Sequence, residues 1–520
     1  MPRYAAIDIG SNSIRMEAAE AVPGEPVRVL ASDREVTRLG ESVFRGGAVG
    51  EEALRASCAV LTRMAATYRK LDVVGVRAVA TSAIRDTRNQ KDFLARASEA
   101  AGTPVEIISG REEARLIHLG VESVWPQNGK HVLILDIGGG SAEIIAAEEG
   151  HLRDAFSVPL GAVRLKEAFL EDDPPTALQL HQMHEYIHEK LDEPVAKLGH
   201  SAWDRAIATS ATASAVASAA TRVSRSKREE VDRLRVRTAQ VRELYRKLAE
   251  LNLAGRRKVT GIGPRRAEII VPGVAVLLKF LEEFRLLSVY YSRAGVRDGI
   301  IADLAARNVG AELSRLSRDQ RREVESMARR YGVSLEHARK VADITSVLFT
   351  ALQPLHALPP ATGKLLDAAS FLHDVGHFVS AASHHKHSYY VVANSDLAGF
   401  TERERLLIAA LCRYHRRSLP TPAHSAYQAL TPEERRIAML LIPILRVADN
   451  LVLGHEQRIL GVECRLRDGE VQIQVRAEGD IDLEQWGAER AGEAFRQVYN
   501  RGISVTKAGL TPARAGSRVE

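Results

Sequence analysis

The chain of 520 residues reads as α/β followed by α: two similar α/β units facing each other across a cleft, then a helical region and a small α+β segment. Three observations predict this. A strand ending in a small-residue turn, Ile7-Asp8-Ile9-Gly10-Ser11-Asn12-Ser13, recurs as Leu135-Asp136-Ile137-Gly138-Gly139-Gly140-Ser141. Strand and helix patterns alternate to about residue 305. From 311 to 454 the apolar spacing is almost wholly helical. The resulting divisions are 1–125, 126–305, 306–454 and 455–506, with a 507–520 tail expected to be disordered.

In chain order, residues 4–9 and 27–36 read as strands, and 51–69 has helical periodicity. Residues 73–80 form a buried strand ending in Thr81-Ser82-Ala83. A helix over 89–101 is stopped by Gly102 and Pro104. Strand 105–108 leads into a helix at Ser109, where Ser109 and Glu112 have capping-box spacing. The second unit opens with the repeated strand and turn, includes strands 205–209 and 289–292, and is charged and helical over 222–260. The last segment reads as two strands joined by an Asp468-Gly469 hairpin turn, a helix, and a short strand at 503–505.

Hydrophobic content of 45% supports substantial cores, and the net charge of +6 favours a polyanionic partner. Aromatic content of 5% argues against a base-stacking surface, so no nucleic acid is expected. Cys58, Cys412 and Cys464 are far apart and read as reduced, structural thiols. The N-terminus leads straight into a strand, and the longest apolar stretches contain Pro272 and Pro443 and are too short to span a bilayer. A cytoplasmic protein without membrane association is expected.

Four features carry chemistry. The small residues of each turn (Gly10, Ser11, Asn12 and Ser13; then Gly138, Gly139, Gly140 and Ser141) offer backbone N–H groups to a phosphate, because glycine tolerates φ > 0 and close approach. The strand-end acids Asp8 and Asp136, the latter with Glu143, suit a hard cation such as Mg²⁺; the alternative for Glu143 is a solvent-facing place on the outgoing strand. Gly110-Arg111-Glu112-Glu113 places two acids in a helical first turn, either as dipole complements or to orient and deprotonate a water attacking a terminal phosphorus. Thr81 and Ser82 present hydroxyls, and Arg85 can fork to two phosphate oxygens, as can Arg15 after the first turn.

These segments together, Ala6 to Met16, Ala80 to Arg85, Ser109 to Leu116 and Asp136 to Glu143, resemble the exopolyphosphatase/guanosine pentaphosphate phosphohydrolase (Ppx/GppA) family across about 1–305. The resemblance implies two actin-like (ribonuclease H-like) domains and metal-dependent removal of terminal phosphate from inorganic polyphosphate or from pppGpp. It implies Glu113 as catalytic base, Asp136 and Glu143 as metal ligands, and phosphate contacts from both turns, Arg15 and Arg85. Arg266 resembles a family arginine near the cleft. Implied cofactors are Mg²⁺, or Mn²⁺ in its place, with a monovalent cation as a further activator; a homodimer is also implied. The sequence departs from the family at Ala208-Thr209-Ser210-Ala211-Thr212, where the family has Gly-x-Ser-Gly-Thr. Each alanine Cβ disfavours φ > 0 and close backbone contact.

In the helical region His337, His373-Asp374 and Asp449 follow in the order of an HD-type phosphohydrolase domain, whose His and Asp side chains hold a divalent metal. The alternative is that the fold is reused without its chemistry. His384, His385, Lys386 and His387, with Arg413, Arg416 and Arg417, are expected to line a channel for a long polyanion or to form a solvated basic face. These features resemble the long form of the family. Processive exopolyphosphatase activity is the leading expectation and pppGpp hydrolysis its close rival. An ATP-dependent kinase of the same fold superfamily and a non-catalytic polyphosphate- or alarmone-binding regulator are more distant.

Overall fold

The computed structural model describes residues 1–199, 202–224, 227, 231–307, 314–452, 459–467 and 469–507. The chain forms two compact units, Met1–Val309 and Gly310–Glu520. Among the described residues, no helix is long and apolar enough to cross a membrane.

The first unit contains two sheets. Strands β1 (Arg3–Ile9), β2 (Ile14–Glu20), β3 (Arg28–Glu35), β4 (Gly75–Ala80) and β5 (Val105–Ile107) assemble in the order β3-β2-β1-β4-β5. The first three strands are antiparallel, and β4 and β5 run parallel to β1. The second sheet has β6 (His131–Ile137), β7 (Ala142–Glu148), β8 (His151–Val158), β9 (Arg205–Thr209), β10 (Arg235–Arg237) and β11 (Ser288–Tyr291), in the order β10-β11-β9-β6-β7-β8. Again three antiparallel strands precede two parallel ones. The duplication read from two heptapeptides therefore extends through five strands of each sheet, the arrangement of paired actin-like domains.

The division at 125/126 does not hold in space. Helix Gly110–Val124 packs on β7 and β8 of the second sheet, where Ala114, Ile117 and Val121 share a core with Val132, Ile134 and Ile145. Helix Val296–Arg307, the end of the second half in sequence, packs on β1 of the first sheet, where Ile300, Ile301 and Ala305 join Tyr4, Ala6 and Val79. Periodicity shows that a helix has an apolar face, not which sheet will cover it. The two helices cross closely through glycines: a Cβ on Gly299 would collide with the backbone of Leu116, and one on Gly120 with the carbonyl of Gly295.

The second unit is mainly helical to Asn450, then forms a three-stranded sheet of β12 (Ile459–Arg467), β13 (Glu470–Ala477) and β14 (Gly502–Lys507), with helix Asp482–Tyr499. The division at 454/455 does not separate cores, because Val462, Ile473 and Phe495 belong to the same cluster as Phe349, Phe371 and Leu445. Strands β12 and β13 pair antiparallel with Arg467 opposite Glu470, the register of the expected hairpin. Asp468 and the residues after Lys507 lie outside the described residues.

Candidate active site

The two turns meet at the base of a cleft of roughly 330 Å³ in the first unit. They close alike: Gly10 N–H donates to Ser13 O at 3.1 Å, and Gly138 N–H to Ser141 O at 3.0 Å. None of Gly10, Gly138, Gly139 and Gly140 has a positive φ, contrary to the sequence expectation. What they provide is space. A Cβ on Gly140 would lie 2.5 Å from Ser82 Oγ and 2.7 Å from Ser11 Oγ, so a side chain there would wedge the two turns apart. Arg164 ties the second turn to Ser82, its Nε donating to Gly140 O at 2.7 Å and a terminal nitrogen to Ser82 Oγ at 3.1 Å.

Strand register sets the acids. Asp8 lies opposite Arg15 on β1 and β2, and Asp136 opposite Glu143 on β6 and β7. The same place in each half thus carries a cation in one and an acid in the other. Asp8, Asp136 and Arg15 line the cleft, together with Thr81, Ser82 and Arg266. Asp136 accepts a hydrogen bond from Thr209 Oγ1. Burial raises the pKa of Asp8 and of Asp136, opposed by Arg15 for the first and chiefly by the Thr209 bond for the second.

The helix Gly110–Val124 separates its two first-turn acids. Ser109 caps it, accepting from Glu112 N at 3.1 Å. The Glu112 carboxylate turns inward and accepts from Arg115 at 2.7 Å and Arg77 at 3.1 Å, in a buried network that includes Asp303. Glu113 turns to the cleft wall, where Arg85 donates to it at 2.9 Å. Burial is the main cause that raises Glu113 to about 7; Arg85 opposes the rise, and Asp8 and Asp136 add to it. A Cβ on Gly110 would collide with Ser157, so glycine there lets the helix begin against β8.

Two expected site residues stand behind the cleft rather than on its surface. Arg85 is held by Glu113 and donates to Ile108 O at 2.8 Å. Glu143 is fully buried, which excludes the solvent-facing alternative. Its Oε1 accepts from Ser157 Oγ at 2.8 Å, while its Oε2 has no hydrogen-bond partner. Burial, with repulsion from Glu113 and Asp136, holds its pKa well above the usual carboxylate range. An orphaned buried carboxylate oxygen beside three further acids fits a nearby divalent cation. Among the described residues these acids do not converge into a three-donor cage, so a cation here would keep water and phosphate oxygens in its shell.

The altered turn places its strain elsewhere than expected. Ser210, and neither Ala208 nor Ala211, has the left-handed φ of +85°. Ser210 and Ala211 both line the cleft. Sequence reasoning also passed over Arg34, Arg293 and Arg297, which add positive charge to the cleft. The close flanking of Gly295 by Arg293 and Arg297 was the available signal.

In the second unit His337, His373, Asp374 and Asp449 come together as expected. Donor atoms of His337, His373 and Asp449 lie within 4.8 Å of one another, as do those of Asp374, His377 and His384. The expected channel is not formed as read. His384 and His385 are buried, and His384 faces Asp374 at 3.3 Å. Arg416 and Arg417 line the adjoining pocket with His384, whereas His385, Lys386, His387 and Arg413 do not. A run of consecutive polar residues has no periodic contrast to show which side faces inward.

Residues 18–308 match the model of the Ppx/GppA phosphatase family, and 320–485 that of Ppx/GppA phosphatase domain III. Solved structures are similar over somewhat more than half of this chain. The Aquifex aeolicus Ppx/GppA family member is 27% identical, with a TM-score of 0.52, covering 59% of this chain and 99% of its own. An exopolyphosphatase-like protein solved by structural genomics is 28% identical, with a TM-score of 0.55, covering 59% and 98%. An exopolyphosphatase from Cytophaga hutchinsonii, at 24% identity and a TM-score of 0.55, covers 58% and 98% and shares the fold.

Proposed function

Because the chain belongs to the Ppx/GppA phosphatase family, we propose that it hydrolyses the terminal phosphate of inorganic polyphosphate, releasing orthophosphate. One observation carries this reading: Glu113, held near neutrality at about 7, sits in the wall of a cleft furnished for phosphate. The lining offers turn N–H groups, hydroxyls and several arginines. Its sole aromatic residue among those described is Tyr291, itself buried, so little surface is available to grip a guanine ring. This favours an all-phosphate substrate over pppGpp.

In the proposed reaction Glu113 orients a water and takes one of its protons as the oxygen bonds to the terminal phosphorus. The bond to the bridging oxygen breaks, and its electron pair leaves with the shortened chain. The turn N–H groups, Arg15 and Arg266 meet charge on the non-bridging oxygens. Mg²⁺ held beside Asp8 and Asp136, with Glu143 behind them, would neutralise phosphate charge. Arg85 keeps the Glu113 carboxylate aimed at the cleft.

The test compares turnover on long polyphosphate and on pppGpp at matched phosphate-end concentration. Higher kcat/KM on polyphosphate is expected; preference for pppGpp would replace this reading with the alarmone hydrolase.

A further inference from the structure

We infer that Arg164 is a positioning residue of the cleft: it fixes the backbone donors of the second turn and links them to Ser82 of the first half. The inference rests on the reading of the cleft as a site for a terminal phosphoryl group.

Three successive carbonyls of the glycine turn are held by one helix. Gly138 O accepts from Ala162 N–H at 3.0 Å, and Gly139 O accepts from Val163 N–H at 2.9 Å and Arg164 N–H at 3.1 Å. These donors open the helix Ala162–Phe169, where N–H groups have no partner within the helix itself. Gly140 O is reached by a side chain, Arg164 Nε at 2.7 Å. A Cβ on Gly161 would lie 2.3 Å from the Gly140 backbone, so glycine there lets the helix begin against the turn. In a planar trans peptide the C=O and the N–H point in opposite directions. The N–H groups of Gly139, Gly140 and Ser141 therefore face away from the helix, and all three residues line the cleft. The first turn is held in the same manner, Ser11 O by Gly40 N–H at 2.6 Å and Asn12 O by Arg38 N–H at 3.3 Å. A charged donor on Gly140 O also polarises its peptide, which strengthens the Ser141 N–H as a donor to an anionic oxygen.

The guanidinium is itself fixed. A terminal nitrogen donates to Ser82 Oγ at 3.1 Å and to Asp86, and the guanidinium carbon lies 4.1 Å from the centre of the Phe44 ring. Phe44, Ser82 and Asp86 come from the first half of the unit, Gly140 and Arg164 from the second. The planar fork thus sets a cleft hydroxyl and a cleft peptide in one geometry across the two halves. A lysine ammonium, a point charge on a flexible stem, does not impose that geometry.

The test uses the full chain and the variants Arg164→Met, Arg164→Lys and Asp86→Asn, with circular dichroism as the check on the fold. Arg164→Met keeps an unbranched stem and removes the donors. It is expected to lower kcat by about 10- to 100-fold, with KM changed by less than about threefold, because the turn donors act most on charge that develops in the transition state. Arg164→Lys is expected to recover only part of that loss. Asp86→Asn removes the exposed ion pair alone and should stay within about twofold of wild type. The pH profile should keep its shape in all three. A folded Arg164→Met with wild-type kcat, full recovery by Arg164→Lys, or an equal loss in Asp86→Asn overturns the inference. Should Arg164→Met fail to fold, Arg164→Lys decides: kcat lower by at least about threefold at unchanged KM supports the role, and wild-type kcat overturns it. Rates are read on polyphosphate and on pppGpp, which present the same terminal group, and the same fold-loss on both is expected. A wild-type preference for pppGpp would refute the functional reading and leave that loss, and the role of Arg164, in place.

Discussion

Glu113 sits where two requirements conflict. Folding buries a carboxylate among other carboxylates, while catalysis needs it ionised near neutral pH. Its folded pKa of about 7 lies above the ordinary value of 4.5. The native state therefore keeps a proton that the unfolded chain has lost between those values, and stability falls as pH rises through that window. Removing the charge relieves this, so Glu113→Gln is expected to melt higher than wild type above pH 7 in cation-free buffer. The same substitution is expected to lower kcat by about 10²–10⁴-fold. In wild type, kcat/KM should climb between about pH 6 and 8 as the base ionises. A flat profile together with unchanged phosphate release would remove Glu113 from the mechanism.

At the level of elements, Glu113 is placed by a helix that belongs to the first half in sequence and covers the second sheet. Its crossing with Val296–Arg307 depends on Gly299, where an added Cβ would strike the Leu116 backbone. Gly299→Ala is expected to cost about 1–3 kcal/mol through forced separation of the helices. It should also lower kcat, because Glu113 moves with its helix; denaturant melts and steady-state rates on the same preparation check both. A variant with full stability and rate would show that the crossing tolerates a methyl group. This exchange of helices was invisible in the sequence, which carries the apolar stripe of each helix but not its partner. The turns, Asp136 and Glu113 were legible because their chemistry is packed into short segments. Arg34 was not, since charge brought to a site by long-range folding leaves no local spacing; Arg293 and Arg297 left only their close flanking of Gly295. His384 was misread for a related reason: its run of histidines offered no inward face.

The whole molecule builds its cores unit by unit, and this governs how it should unfold. Each unit draws its hydrophobic clusters from its own residues. Two calorimetric transitions are therefore expected. Asp303 allows them to be assigned. It joins Arg77 and Arg115 in a buried network, and Arg307 donates to it at 2.8 Å. Burial alone would raise its pKa, but Arg307, Arg115 and Arg77 hold it far below the carboxylate range. A depressed folded pKa means its stabilisation is present above the unfolded value, near 3.8, and fades as pH falls toward the folded one. Asp303→Asn leaves buried guanidinium groups short of a partner charge, a loss of about 3–5 kcal/mol. At neutral pH this should lower one transition by on the order of 5–10 °C and leave the other in place. The unmoved transition is then that of the second unit, since Asp303 belongs to the first. A single transition that shifts as a whole with Asp303→Asn would instead mean that the two cores melt as one cooperative body.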